Sequence, residues 1–149
     1  MSRGPLRLAH EIHGSCVEFS GRGVLLMGAS GSGKSTLALE LVTRGAKLVG
    51  DDQIRLETDA DGRVMARSPA PDPGLIEARH VGIVRAPVAE TAKVELVVDL
   101  DRDEPVRLPP VRHIDFGASS IRLIRGRNVP GLVPAIMLIL GSGGSSKAG

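Results

Sequence analysis

The sequence predicts a mixed α/β domain: a strand–loop–helix–strand (βαβ) core, then β-hairpins, then a C-terminal helix. Three observations carry that prediction. The apolar run 23–27 leads into the loop Gly28-Ala29-Ser30-Gly31-Ser32-Gly33-Lys34-Ser35 and on into a segment with helical spacing. Beyond Asp52 the pattern changes to short apolar runs separated by Asp, Gly and Pro, as hairpins require. Near the end, Pro130 opens an apolar stretch that reaches Leu140, and proline suits the first turn of a helix.

Each element has a local reason. Residues 1–9 read as a flexible N-terminal arm, 10–140 as the domain, and the Gly/Ser-rich 141–149 as a disordered tail. Runs 16–19 and 23–27 are strands joined by the turn Ser20-Gly21-Arg22. Helix 35–44 places Leu37, Ala38, Leu41 and Val42 on one face, and Gly45 stops it. Strand 46–49 ends in Gly50-Asp51-Asp52 and is expected to lie beside the loop-bearing strand in a parallel sheet. Runs 53–57 and 64–67 flank the turn 59–62, and the proline-rich 69–74 is a surface loop. Further strands are expected at 75–77, 80–85, 93–100 and 121–124, with the charged 101–110 exposed and a helix over 130–140.

Composition narrows the function classes. A length of 149 residues suits one domain with a real core. The chain has two Phe and no Trp or Tyr, so the core is aliphatic and base-stacking recognition of single-stranded nucleic acid is disfavoured. A net charge of +2 is too small to indicate a nucleic-acid or membrane partner. Cys16 has no second cysteine to pair with, which fits a reducing compartment, and the apolar run 133–140 is too short to span a bilayer. A cytoplasmic protein with neither nucleic-acid nor membrane partner is the expectation.

The loop 28–35 has the G-x4-G-K-S spacing of a P-loop, which makes the core a nucleotide-binding one. Its glycines let consecutive backbone N–H groups point at phosphate oxygens. Lys34 reaches the β/γ-phosphates, Ser35 ligates Mg²⁺, and the start of the following helix, with Thr36, adds its positive dipole end. Asp51 and Asp52 close a strand whose C-terminal end faces the ligand crevice. One of the two can hold Mg²⁺ or its water while the other accepts a proton from an attacking hydroxyl.

With these residues in place, the chain resembles the catalytic C-terminal domain of bacterial HPr kinase/phosphorylase, in a short form lacking the N-terminal domain. Ile12-His13-Gly14 is similar to the family's Val-His-Gly, and Leu48-Val49-Gly50-Asp51-Asp52 to its Leu-Val-Ala-Asp-Asp. Leu75-Ile76-Glu77-Ala78-Arg79-His80-Val81-Gly82-Ile83 resembles its signature Leu-Leu-Glu-Ile-Arg-Gly-Leu-Gly-Ile. Arg107-Leu108 and Gly126-Arg127-Asn128 resemble its Arg-Leu-Gly and Pro-Gly-Arg-Asn elements. The resemblance spans about 10–140. Thr36 stands where a Glu is usual, and His80 where a Gly is usual.

The resemblance implies a serine kinase using ATP and Mg²⁺ on an HPr-type phosphocarrier of the phosphotransferase system. It also implies phosphorolysis of the phosphoserine by inorganic phosphate. Asp51 would be the general base and, in reverse, the acid. Asp52 and Glu77 would serve the metal with Ser35. His13 would lie near the transferred phosphate, Arg107 would stabilise transition-state charge, Arg79 would support the signature strand, and Arg127 would contact phosphate or a subunit. Glu77 also draws notice alone, because a carboxylate buried on an apolar strand is costly without a partner. His113 and Asp115 lack a third metal partner and read as structural, Cys16 reads as a small core residue, and Arg122, Arg125 and Arg127 could form a solvated strand face. Recognition of a protein by so small a chain calls for a homo-oligomer, with the family's hexamer as its form. The alternatives are a catalytically silent nucleotide sensor that binds HPr, and a small-molecule P-loop kinase. The second lacks the long lid and Arg-rich stretch such an enzyme needs.

Overall fold

The computed structural model describes residues 9–141, so the expected arm and tail lie outside the described residues, apart from Ala9 and Gly141. In chain order the elements are β1 (Ala9–Phe19), β2 (Arg22–Met27), α1 (Lys34–Thr43), β3 (Lys47–Gly50), β4 (Gln53–Thr58), β5 (Val64–Arg67), β6 (Leu75–Ala78), β7 (Gly82–Arg85), β8 (Ala92–Asp103), β9 (Arg112–Phe116), β10 (Ser119–Arg127) and α2 (Leu132–Gly141). The fold is mixed α/β but dominated by strands. The helix bounds differ from expectation by one or two residues, as frayed ends do. β1 and β10 extend well beyond the apolar runs that marked them.

One expectation is corrected. β3 does not lie beside β2, because β1 sits between them and runs antiparallel to both: Cys16 faces Leu25 on one edge and Gly50 on the other. The tight turn at Ser20-Gly21 folds β2 straight back onto β1 and fills that edge first. The return from α1 lands on β1's far edge, where β4 also pairs, from Ala9↔Glu57 to His13↔Gln53, and leaves β2's outer edge to a later strand. The parallel neighbour of β2 is β8 instead (Leu25↔Val97), and β10 joins β8 in parallel on its other edge (Ile124↔Val98). Three parallel strands thus end along one side of the molecule. The pairings β1–β2, β2–β8, β8–β5, β5–β4 and β4–β1 close a ring. β6 and β7 form a separate hairpin.

Two apolar cores result, and strand alternation assigns residues to each. Val24 and Leu26 of β2 pack with Leu37, Ala38 and Leu41 of α1 and Leu132, Ile136 and Leu140 of α2. Leu25, between them in sequence, points the other way into the ring with Cys16, Ile54, Leu56 and Val64. β8 serves both sides by means of a bulge at Glu95, where the register steps from Gly23↔Val94 to Val24↔Leu96. Ala92 and Val94 face the ring, whereas Leu96 and Val98 face the helices.

Cys16 is fully buried within the ring. Burial first, and the charge of Glu18 second, push its thiol up to about 12 from 9.0. A raised pKa means that the folded state holds the proton after the unfolded chain has released it. The resulting stability is complete below about pH 9 and is lost as pH rises toward about 12. We therefore expect the unfolding free energy from urea denaturation to fall between pH 9 and 11 by roughly 1 kcal/mol per pH unit more than in Cys16→Ala. Denaturation of both proteins across that range checks it.

Candidate functional site

β2 delivers the chain to the glycine loop at Met27, and α1 takes it away at Lys34. Gly28 favours glycine because its φ is 154°, a value that L side chains rarely adopt, and a Cβ there would lie 2.5 Å from Ser32 Oγ and 3.0 Å from Ser32 Cβ. Gly33, at φ 104°, sets the left-handed step into the helix. Lys34 is buried, and its ammonium donates to the carbonyls of Gly28 (2.7 Å) and Ala29 (3.1 Å), curling back over the loop.

The two adjacent aspartates are held quite differently. Asp51 accepts hydrogen bonds from Ser15 Oγ of β1 at 2.6 Å and from Ser35 Oγ of α1 at 2.8 and 3.1 Å. One carboxylate therefore ties together the sheet, the helix and the loop. Asp52 takes a left-handed φ of 76°, which short polar side chains tolerate, and turns its carboxylate outward. His13 Nδ1 lies 3.4 Å from its Oδ1, both side chains being largely exposed, and Gly14 N–H donates to its carbonyl at 3.1 Å. The turn is thus clamped to β1.

A cleft of about 230 Å³ joins Ser30, Gly31, Gly33, Lys34, Ser35 and Thr36 to Asp52, Glu77 and Arg79. The β6–β7 hairpin supplies the last two. Glu77 is not the buried carboxylate expected, because alternation along β6 turns Ile76 and Ala78 inward and leaves Leu75 and Glu77 exposed. Its side chain reaches the loop from the solvent side. Arg107 is not brought to this cleft. It is exposed and lines another concavity with Glu104, Arg112 and Arg125. There the bond from Arg112, at 2.7 Å, holds the Glu104 carboxyl below its ordinary range.

Two contributors escape the sequence patterns. Ser15 is fully buried beneath Asp51 and looks like any small residue in a strand. Asp101, at the end of β8, accepts the Ala29 N–H with both carboxylate oxygens at 3.1 and 3.0 Å. Its signal was the series Asp99, Asp101, Asp103 closing an apolar strand, but only the pairing of β8 with β2 brings it to the loop.

Residues 6–108 match the family described as the HPr serine kinase C-terminal domain, well over half of the chain. The chain belongs to that family. Among proteins named HPr kinase/phosphorylase, the one from Brevibacillus brevis is 38% identical over 104 residues, which is 65% of this chain and 33% of that protein. The one from Clostridium beijerinckii is 47% identical over 73 residues, 49% of this chain and 24% of that protein. The chain therefore spans a third or less of the length of these relatives. The solved structure of the Hpr(Ser) kinase/phosphatase from Coxiella burnetii shares the fold, with a TM-score of 0.72 at 24% identity and 89% of each chain covered. The matched span contains the glycine loop, both aspartates, the β6–β7 hairpin and Arg107; Arg127 lies beyond it.

Ser15→Ala should remove one of the two hydroxyls that hold the Asp51 carboxylate. A part-buried charge short of a donor costs about 1–3 kcal/mol. Urea denaturation should show a loss in that range, and an unchanged midpoint would mean that Ser35 alone suffices.

Proposed function

We propose that this chain is a serine kinase that transfers the γ-phosphoryl group of ATP, with Mg²⁺, to an HPr-type phosphocarrier. It also runs the reverse attack of inorganic phosphate on the phosphoserine. One observation carries the reading: a glycine loop with Lys34 and Ser35 shares a cleft with Asp52, Glu77 and Arg79, in a chain of the HPr kinase family. Residues 10–140 form the catalytic unit.

The donor set fits Mg²⁺. Ser35 Oγ, the Asp51 carboxylate bonded to it, and Glu77 across the cleft are all oxygen groups. Among the described residues no three acidic, His or Cys side chains converge as a metal cage. Phosphate oxygens and water would complete the shell, as is usual for this ion. When bound, the ion neutralises phosphate charge. Lys34 and the loop amides hold the phosphates, and Arg79 faces the same cleft with a positive charge.

The environments of the two aspartates favour exchanging the roles expected from the sequence. Asp51 is engaged by two hydroxyls and belongs with the metal. Asp52 is exposed at the cleft edge, with His13 beside it, and is free to meet an incoming hydroxyl. In the forward direction the serine oxygen bonds to the γ-phosphorus, ADP leaves, and the serine proton passes to Asp52. In reverse, a phosphate oxygen bonds to the phosphoserine phosphorus, the serine oxygen leaves with the proton from Asp52, and pyrophosphate forms. His13 orients the Asp52 carboxylate. Arg107, exposed and apart, enters this reading only if a second copy of the chain brings it to the cleft. Such a homo-oligomer, with a hexamer as its family form, is part of this proposal.

The test uses labelled ATP and HPr, with and without phosphate. Asp52→Asn should lower both directions by about 10²–10⁴-fold, the usual contribution of a general acid–base group, with ATP–Mg²⁺ affinity little changed. Asp51→Asn should instead raise the Mg²⁺ concentration needed for half-maximal rate. The opposite pattern would return the base to Asp51. Wild-type protein that binds ATP yet transfers nothing to HPr would remove the kinase reading.

A further inference from the structure

Two clefts meet at Ser30 and Gly31 of the glycine loop. The smaller one, about 230 Å³, carries the acidic pair's Asp52, Lys34, Glu77 and Arg79. The other, about 790 Å³, runs along the ends of β8 and β10 and is lined by the loop, Leu100, Asp101 and the turn from Gly126 to Pro130. Ligand pockets for small molecules usually measure about 300–1,000 Å³, so the first is too small for a whole nucleotide and the second is not.

We propose that the nucleoside of the nucleotide binds in this larger cleft, with Asp101 accepting the ribose hydroxyls and Arg127 lying against the base. The assignment rests on the kinase reading and extends it to a site that the glycine-loop motif does not specify. Topology is the first argument. β2, β8 and β10 are mutually parallel, and ligands of such sheets lie beyond the carboxyl ends of the strands. This cleft occupies that place, whereas the acidic pair sits on the opposite flank of β2, beyond β1.

Charge is the second argument. Asp101 is held at the loop by the Ala29 N–H, and its own N–H donates to Asp99 Oδ1 at 2.9 Å. An anion fixed there repels phosphates and confines them to the Lys34 side. The same carboxylate has acceptor capacity left for neutral hydroxyl donors, which is what a ribose offers. Shape and composition are the third. No aromatic side chain lines the cleft, so a base must rest on something else that is flat or apolar. The exposed Arg127 offers a planar guanidinium, and Leu100 and Pro130 offer apolar contact. Gly126 allows the turn to come this close, since a Cβ there would lie 2.7 Å from Val98 Cγ1. Asn128, at φ 59°, carries the chain round, and its amide reaches Asp103 Oδ1 at 3.4 Å.

The experiment compares ATP with inorganic tripolyphosphate, which lacks a nucleoside, by calorimetry in the presence of Mg²⁺. Arg127→Ala and Asp101→Asn should each weaken ATP about tenfold or more, while tripolyphosphate affinity stays within about twofold in Arg127→Ala and does not fall in Asp101→Asn, where a repelling charge is removed. Lys34→Ala should weaken both ligands. ATP lacking both ribose hydroxyls should bind the wild-type chain about as weakly as ATP binds Asp101→Asn. Unchanged ATP affinity in both variants would overturn the assignment, and so would an equal loss of ATP and tripolyphosphate, which would make these residues phosphate ligands. A wild-type chain that binds tripolyphosphate but gains nothing from the nucleoside also overturns it, leaving the phosphate loop intact. No binding of either ligand would remove the kinase reading and this site together.

Discussion

The arrangement of the whole domain depends on β1 being bonded along both of its edges. β2 covers one edge, while β3 and β4 share the other. The polar groups of a strand so enclosed have no water to turn to, and the sheet must satisfy them. Between the end of β3 and the start of β4 the chain passes along that edge opposite Gly14 and Ser15, and the residues that make the passage are Asp51-Asp52. Their place opposite His13 and Gly14, with Ser15 beneath, is therefore a matter of sheet register. A slip of one residue would turn Ser15 away from Asp51 and exchange every inward and outward side chain of β1.

Carboxylates ring the glycine loop, and each has a different kind of neighbour. Asp51 has two hydroxyls, Asp52 an imidazole neighbour and Asp101 a backbone amide. Groups of one chemical type acquire separate tasks when their surroundings differ in this way. The hydroxyl-bonded carboxylate is fixed, the imidazole neighbour leaves its partner accessible, and the amide-bonded one is anchored at the far side of the loop. Phosphate, with its own negative charge, is thereby directed to the flank where Lys34 and Arg79 stand.

Much of this was legible in the sequence because the signals were local. The glycine loop, helix α1 with its stop at Gly45, the β4–β5 hairpin and the buried strand around Cys16 all follow from spacing within a few residues. Family spacing extended that reach to His13, Asp51, Asp52 and Glu77, which the fold gathers around the loop. What could not be read was long-range. The insertion of β1 between β2 and β3 goes with the distant β8 taking β2's other edge, and the bulge at Glu95 leaves no compositional mark. β9 has no strand expectation of its own, because it is short and mostly exposed, with only Ile114 and Phe116 as apolar residues among Arg112, His113 and Asp115. Arg107 is the converse case: a short motif specified a role, but within one chain it lines an exposed concavity after β8 with Glu104, Arg112 and Arg125 and not the cleft at the loop.

The ring of strands has one weak join. β5 meets β8 through the two pairs Met65↔Lys93 and Ala66↔Ala92, whereas β4 grips β1 through five. Native proteins breathe first where the fewest contacts must break. Here β5 can part from β8 while β4 stays bonded to β1, against the burial of Val64 and Ala66 and the bond from Ser119 Oγ to the Gly62 carbonyl. The join lies at the start of β8, beside Arg22, at the pole of the molecule remote from Met27 and the glycine loop. Thermal opening is thereby vented through the bottom of the ring, and the strand ends that present the loop keep a still floor.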